Sequence, residues 1–358
     1  MSVVPLLAQT ANDPAGRLIE RIARGEAKLE YRGGGQSYVL DLLKTLDVPA
    51  DSQTLVFAPN SFQAARISAA NPRAIYFNDD VSVAFIPGAD LIEISSLDPQ
   101  AGVVFYTLEA NNPARPNFQS CNTSCHGIRE TAILMVQSNA RGSAFRNATT
   151  DHRTPFEQRW GGWYVHGAPG TPHLGRAVQA DSFDAGKYPL PTSDVVALMT
   201  LEHQTRMTNL MMGVSRNARA VAAGKMNVEW LDKAIEDLVG YMLFTDEAPL
   251  PNPVKGASTF TQTFPQRGPR DASGRGLREF DLKTRMFRYP LSYMIYSEMF
   301  DGMEAGGRAG VYQRLFDVLN GKEQSEPYAR LTAGDRRAVL EIVRDTKTDL
   351  PEYWRTVR

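Results

Sequence analysis

Cys121 and Cys125 are the only two cysteines in a chain of 358 residues, and His126, one of only five histidines, directly follows the second. The spacing C-x-x-x-C-H is that of a covalent haem attachment site with one residue more between the thiols than the commoner C-x-x-C-H. The chemistry explains the composition. Two thiols add across the two vinyl groups of the porphyrin and form thioethers, so they must lie a few residues apart. A histidine straight after the second thiol then reaches the iron and donates an imidazole nitrogen. One extra residue can be absorbed by a wider loop. Three other readings use the same residues. They are a local disulfide in an oxidising compartment, half of a zinc site completed by a distant histidine, and a chance cluster of thiols. Zinc is weakened because no second cysteine pair exists. The expectation carried forward is one haem c on Cys121 and Cys125, with His126 as an axial ligand.

A second axial position on the iron can be filled by histidine or methionine, or stay open. His152, His166, His173 and His203 are the remaining histidines. His203 shares a helical face with Val196, Met199, Met207, Leu210 and Val214, which recur at three- and four-residue steps. It is read as a metal ligand, alongside the plainer reading of a hydrogen-bonded core histidine. Met207 is a further candidate for the same position, although a methionine-rich face is more often packing.

The stretch Asp151-His152-Arg153-Thr154-Pro155-Phe156-Glu157-Gln158-Arg159-Trp160-Gly161-Gly162-Trp163-Tyr164 holds two of the four tryptophans around a glycine pair. Glycine there lets backbone approach something closely. Arg153 and Arg159 suit haem propionates, because guanidinium matches carboxylate geometry. Trp160, Trp163 and Tyr164 suit the porphyrin face. The alternative is an aromatic core cluster with surface arginines.

These residues need elements to hold them. Residues 12–47 read as helical with breaks, interrupted at Gly33-Gly34-Gly35. From Thr54 to Leu108, five β-branched and aromatic runs are separated by turn residues, including Asn78-Asp79-Asp80, and predict an antiparallel meander of four or five strands. Residues 151–176 read as irregular. Helices are expected at 194–222, 227–243, 289–302, 309–320 and 334–345. The stretch 251–276 is rich in Pro, Gly, Ser, Thr and Arg and predicts a long surface excursion. The expected class is α+β: a β-rich lobe at 1–110, a haem-attachment segment at 111–190 and a helical lobe at 191–358, together forming one composite domain or separate ones.

Apolar residues make up 42% of the chain, enough for a real core, and Lys+Arg 39 against Asp+Glu 40 leaves a charge of −1. That balance gives no case for nucleic acid as a partner. No apolar run reaches the length of a transmembrane helix. Ser2-Val3-Val4-Pro5-Leu6-Leu7-Ala8-Gln9-Thr10-Ala11 reads like the end of a secretory signal, or as an ordinary apolar terminus. Covalent haem attachment in bacteria takes place outside the cytoplasm, so the motif and this terminus together predict a periplasmic or otherwise extracytoplasmic protein.

The region from about 74 to 176, and more loosely the helical C-terminal part, resembles a family of single-haem cytochrome c-domain proteins of environmental bacteria. The resemblance rests on Tyr76-Phe77-Asn78-Asp79-Asp80, Cys121…Cys125-His126, Asp151-His152-Arg153, Arg159-Trp160-Gly161-Gly162-Trp163-Tyr164-Val165 and Leu201-Glu202-His203-Gln204. It implies a c-type haem and little about reaction. The family has the shorter cysteine spacing and a methionine after the histidine at 173, where this chain has Leu174. If that methionine ligates iron in the family, this chain must use another residue or leave the position open. The leading expectation is an electron-transfer cytochrome that works with a redox partner protein, or as a subunit of a redox complex. The alternative is a haem enzyme of peroxidase or oxygenase type, in which a His–Arg pair such as His152 and Arg153 polarises a bound O–O bond. A gas sensor or structural subunit ranks last, because no output domain is visible.

Overall fold

The computed structural model describes residues 11–33, 36–121 and 135–356. The meander is present as five antiparallel strands, β1 (Thr54–Val56), β2 (Arg73–Phe77), β3 (Val81–Phe85), β4 (Leu91–Asp98) and β5 (Gly102–Glu109). β6 (Phe118–Cys121) extends it antiparallel to β5, with Cys121 opposite Phe105. β7 (Val136–Ser138) and β8 (Ala144–Thr149) form a separate hairpin. β9 (Trp163–Val165) pairs antiparallel with β1, and β10 (Arg176–Ala177) runs parallel to β9. The sheet order is therefore β10-β9-β1-β2-β3-β4-β5-β6. Strands from the 111–190 segment sit at both edges of the N-terminal sheet, so the two segments share one layer.

Period-two alternation sends side chains to opposite faces. On one face Leu55, Tyr76, Val83, Ile92, Ile94 and Leu108 pack under α1 (Pro14–Ala23) and α2 (Val39–Thr45). On the other, Val56, Phe77, Leu97 and Val103 join the core of the helical part. The sheet is thus covered on both faces. At the turn between β2 and β3, Asn78 Oδ1 accepts from the backbone N–H groups of Asp80 and Val81, an ordinary hairpin closure.

The helical part is organised around α3 (Val195–Ala222), capped by Asp194. α4 (Val228–Met242) and α5 (Ala305–Leu319) pack against it, and α6 (Ala333–Thr346) packs against α5, with Leu238, Val311, Leu315 and Val343 in the shared core. Four expected helices, α3 to α6, are thereby located, α5 beginning a turn earlier than its apolar pattern. The expected helix at 289–302 is not continuous. Ser292 and Ser297 each cap a new short turn, Tyr293–Tyr296 and Glu298–Asp301, by accepting backbone N–H groups. Serine competes with helix propagation in this way. The stretch 251–276 lies largely at the surface but is not a free excursion: Val254, Phe260 and Phe264 are buried in the main core. Among the described residues, no helix is long and apolar enough to cross a membrane.

The Gly161-Gly162 pair makes a close backbone crossing. Its approach partners are the β7–β8 hairpin and Ala58. A Cβ on Gly161 would lie 1.8 Å from the Ser138 carbonyl oxygen, and one on Gly162 would lie 2.6 Å from Ala58 Cβ. Gly162 also has φ of +84°, and its carbonyl accepts from Phe57 and Ala58. Gly161→Ala is expected to lower stability by about 2–3 kcal/mol through overpacking, measured as a reduced urea midpoint at unchanged slope.

Candidate functional site

Cys121 ends β6, and its backbone is paired to the sheet. Cys125 and His126 lie outside the described residues. The chain re-enters at Met135, which is buried in the main core and whose carbonyl accepts the Thr150 N–H at 2.7 Å. Two residues further on is His152. The cysteine segment is therefore bounded by the edge of the sheet on one side and by the start of the 151–164 stretch on the other.

His152 and His203 face each other. Their Nδ1 atoms are 2.9 Å apart, and His203 Nε2 lies 2.7 Å from Ser292 Oγ. The two rings are stacked at 5.1 Å. Tyr241 lies flat against His152 at 3.9 Å, and Phe244 stacks on both histidines, at 4.7 Å and 4.6 Å. All of this is out of reach of solvent, with His152 at 2% and His203 at 0% exposure. Burial pushes the His203 imidazole down to about 3. His152 is also held well below its ordinary value, by burial first and then by His203 and the nearby arginines. Both rings are neutral at pH 7, so each carries one proton.

That proton count constrains the tautomers. If His203 donates from Nε2 to Ser292, its Nδ1 accepts from His152 Nδ1–H, and His152 Nε2 is left as a bare lone pair. The reverse chain would leave an N–H at His152 Nε2. This atom is buried and has no hydrogen-bond partner among the described residues. Orphaned buried N–H groups are the rarer case, so the hydrogen-bond network favours the lone pair. A histidine whose far nitrogen is tied down and whose near nitrogen is bare is in the state that a metal ligand needs.

Next to this pair is a buried ion pair. Arg159 Nη1 and Glu202 Oε2 are 3.5 Å apart, with side chains 2% and 0% exposed. Arg159 also donates to the carbonyls of Thr154 at 2.6 Å and His152 at 2.7 Å, and its guanidinium lies over Phe156. Burial pushes the Glu202 carboxyl up to about 7 against the pull of Arg159. Gln204 bridges to the sheet turn, donating to the Asn78 carbonyl at 2.7 Å and accepting from Tyr293 Oη at 2.9 Å. Three consecutive residues of α3 therefore each make a buried polar contact. This is possible because the helix is surrounded on all sides.

The structure thus brings His152, Arg159 and His203 together. It adds Glu202, Tyr241, Phe244 and Ser292, which the sequence reading did not single out as site residues. Glu202 and Gln204 carried a signal, as polar residues flanking His203 within an apolar helix; Ser292 carried none. Arg159 is not a surface arginine, and its guanidinium is spent on protein carbonyls and Glu202. Arg153 makes a fork on Asp151, at 3.1 Å and 2.7 Å, over the Tyr241 ring. Trp160 packs edge-on against Phe156 and lies 5.4 Å from His173, with an unusual φ of +68°. His203 has both ring nitrogens hydrogen-bonded, so iron ligation by His203 would require breaking one of those bonds. His166 is tied by its backbone to Ser193 and Val195 where β9 meets α3.

Removing one partner of a buried pair leaves the other uncompensated. Arg159→Leu is therefore expected to cost about 3–5 kcal/mol, read from denaturant unfolding. For pH, the sign follows from the raised carboxyl of Glu202. The folded state keeps a proton that the unfolded chain releases, so this contribution is complete below the ordinary carboxylate range and is lost as pH rises toward about 7. Asp80 and Glu247 are likewise pushed up to about 7 by burial. Urea midpoints should fall between about pH 5 and about pH 7.5, and Glu202→Gln should flatten part of that fall. No family model matches this chain, and neither does any curated protein or solved structure.

Proposed function

We propose that this chain is an extracytoplasmic c-type cytochrome with a single haem, that it acts in electron transfer, and that its partner is another redox protein. The observation that carries the reading is Cys121…Cys125-His126. Cys121 and Cys125 form the thioethers, and His126 donates one axial nitrogen. Bound there, the group supplies a one-electron iron couple. The buried surroundings of the segment's far end support the fit. Among the described residues His152 Nε2 is unpartnered and enclosed, and His152 is the residue that would supply a second nitrogen to a bound haem iron. His203 and Ser292 orient that ring from behind, while Tyr241 and Phe244 exclude water from it.

A fully ligated haem suits electron transfer better than oxygen chemistry. The enzyme alternative needs a free guanidinium beside an open position. Arg153 is committed to Asp151, and Arg159 to two carbonyls and Glu202.

The test is the protein made with a haem-attachment system, assayed by pyridine haemochrome and by ferric and ferrous spectra. A covalent c-type signature and a low-spin ferric spectrum are expected. Cys121→Ser with Cys125→Ser should abolish attachment. His152→Ala should convert the ferric haem to high spin, while His203→Ala keeps it low-spin with a shifted potential. Haem that is absent, or that extracts into acid acetone, would sink the cytochrome reading. A high-spin wild type would move the reading to the open-site enzyme.

A further inference from the structure

A cavity of about 920 Å³ is lined by Gln204, Phe264 and Arg278, each in contact with Tyr293, whose ring centre also lies 6.1 Å from that of His203. It opens between the β2–β3 turn, the short turn Ala50–Ser52 and the stretch 259–278. Its size is that of a small-molecule site. The walls include Phe77, Phe260, Phe264 and Tyr296.

The charges on these walls do not balance. Four carboxylates (Asp47, Asp51, Asp79 and Asp80) line the cavity against two guanidiniums, Arg267 and Arg278. Both arginines are taken. Arg267 pairs with Asp47 at 2.6 Å, and Arg278 pairs with Asp79 while lying over the Phe264 and Tyr293 rings. Among the described residues, this leaves Asp51 and Asp80 without a salt bridge to either lining arginine. Asp51 is 9% exposed. Its Oδ2 accepts from Thr259 and Thr263, each at 2.7 Å, but its Oδ1 has no partner. Asp80 Oδ1 is also buried and unpartnered. A buried carboxyl without a salt-bridge partner is costly as an anion and is relieved by a proton, or by a cation that binds beside it. A bare metal ion would leave most of this aromatic-walled volume empty.

We propose that this cavity binds a small organic ammonium compound with an apolar or aromatic body, its charged nitrogen held by Asp51 and Asp80. The apolar body lies along Phe260 and Phe264, where an aromatic face also favours positive charge. Among the described residues, neither Cys121 nor either histidine of the pair lines this cavity.

The test is isothermal titration calorimetry on the full chain as purified, whether or not it carries haem, with three probes of one shape: phenethylammonium, 2-phenylethanol and phenylacetate. Phenethylammonium should bind one-to-one, about ten-fold or more tighter than the alcohol, and phenylacetate should give no saturable heat. Asp51→Asn should weaken phenethylammonium about ten-fold. Because Asp51 also holds Thr259 and Thr263, Ala50→Trp serves as a second variant. It should block binding while circular dichroism and the melting temperature stay those of the parent. Equal binding of the ammonium and the alcohol would overturn the proposal. So would undiminished binding in folded Ala50→Trp, or the absence of saturable binding by phenethylammonium at millimolar concentration.

Discussion

Asp194 stands at the junction of every layer. One carboxylate oxygen caps α3 by accepting from Val196 and Ala197 at 2.7 Å and 3.1 Å. The other accepts from the backbone of Ala257 and Ser258 and from the Ser258 hydroxyl. Its own N–H reaches the Gln53 carbonyl just before β1. A fully buried charge of this kind persists only when several donors converge on it, and five do so here. The start of α3, the beginning of the sheet and the 251–267 stretch are therefore fixed relative to one another at one point. Everything that α3 carries inward, including Glu202, His203 and Gln204, depends on that anchor for its position.

From this point the polar interior divides into two regions that both reach Tyr293. On one side, the histidine pair is neutral, stacked and closed to water; its chemistry is that of a lone pair held in place. On the other, the cavity keeps acids whose charge its arginines do not cancel. The two regions differ in the groups they hold: one a buried imidazole pair, the other acidic side chains beside aromatic rings. α3 serves both, with His203 facing the first and Gln204 the second.

Much of this architecture was legible in the chain. The meander followed from β-branched runs punctuated by turn residues, and four of the longer helices from three- and four-residue periodicity. Residues 251–276 misled because proline, glycine and threonine normally mark exposed loops. Here Phe260 and Phe264 anchor the stretch from within, and Asp194 satisfies its backbone. The helix expected at 289–302 failed at Ser292 and Ser297, whose hydroxyls compete locally for backbone N–H groups. In the site, His152, Arg159 and His203 were readable as unusual residues, but their mutual contact was not. It joins positions 51 apart in sequence through side-chain geometry alone. Ser292, further still along the chain, has no sequence signature as the partner of a histidine.

The edges of the sheet have a consequence for the behaviour of the molecule in crowded surroundings. β10 has two residues and β6 has four, although the interior strands β4 and β5 run to eight. Beside β5, Met212 of α3 lies against Gly102. Short edge strands offer little template for a strand from another molecule. Among the described residues, the two-residue β10 therefore gives an incoming strand few ladder groups to pair with, and that shortness limits strand addition at this edge more than a net charge of −1 could.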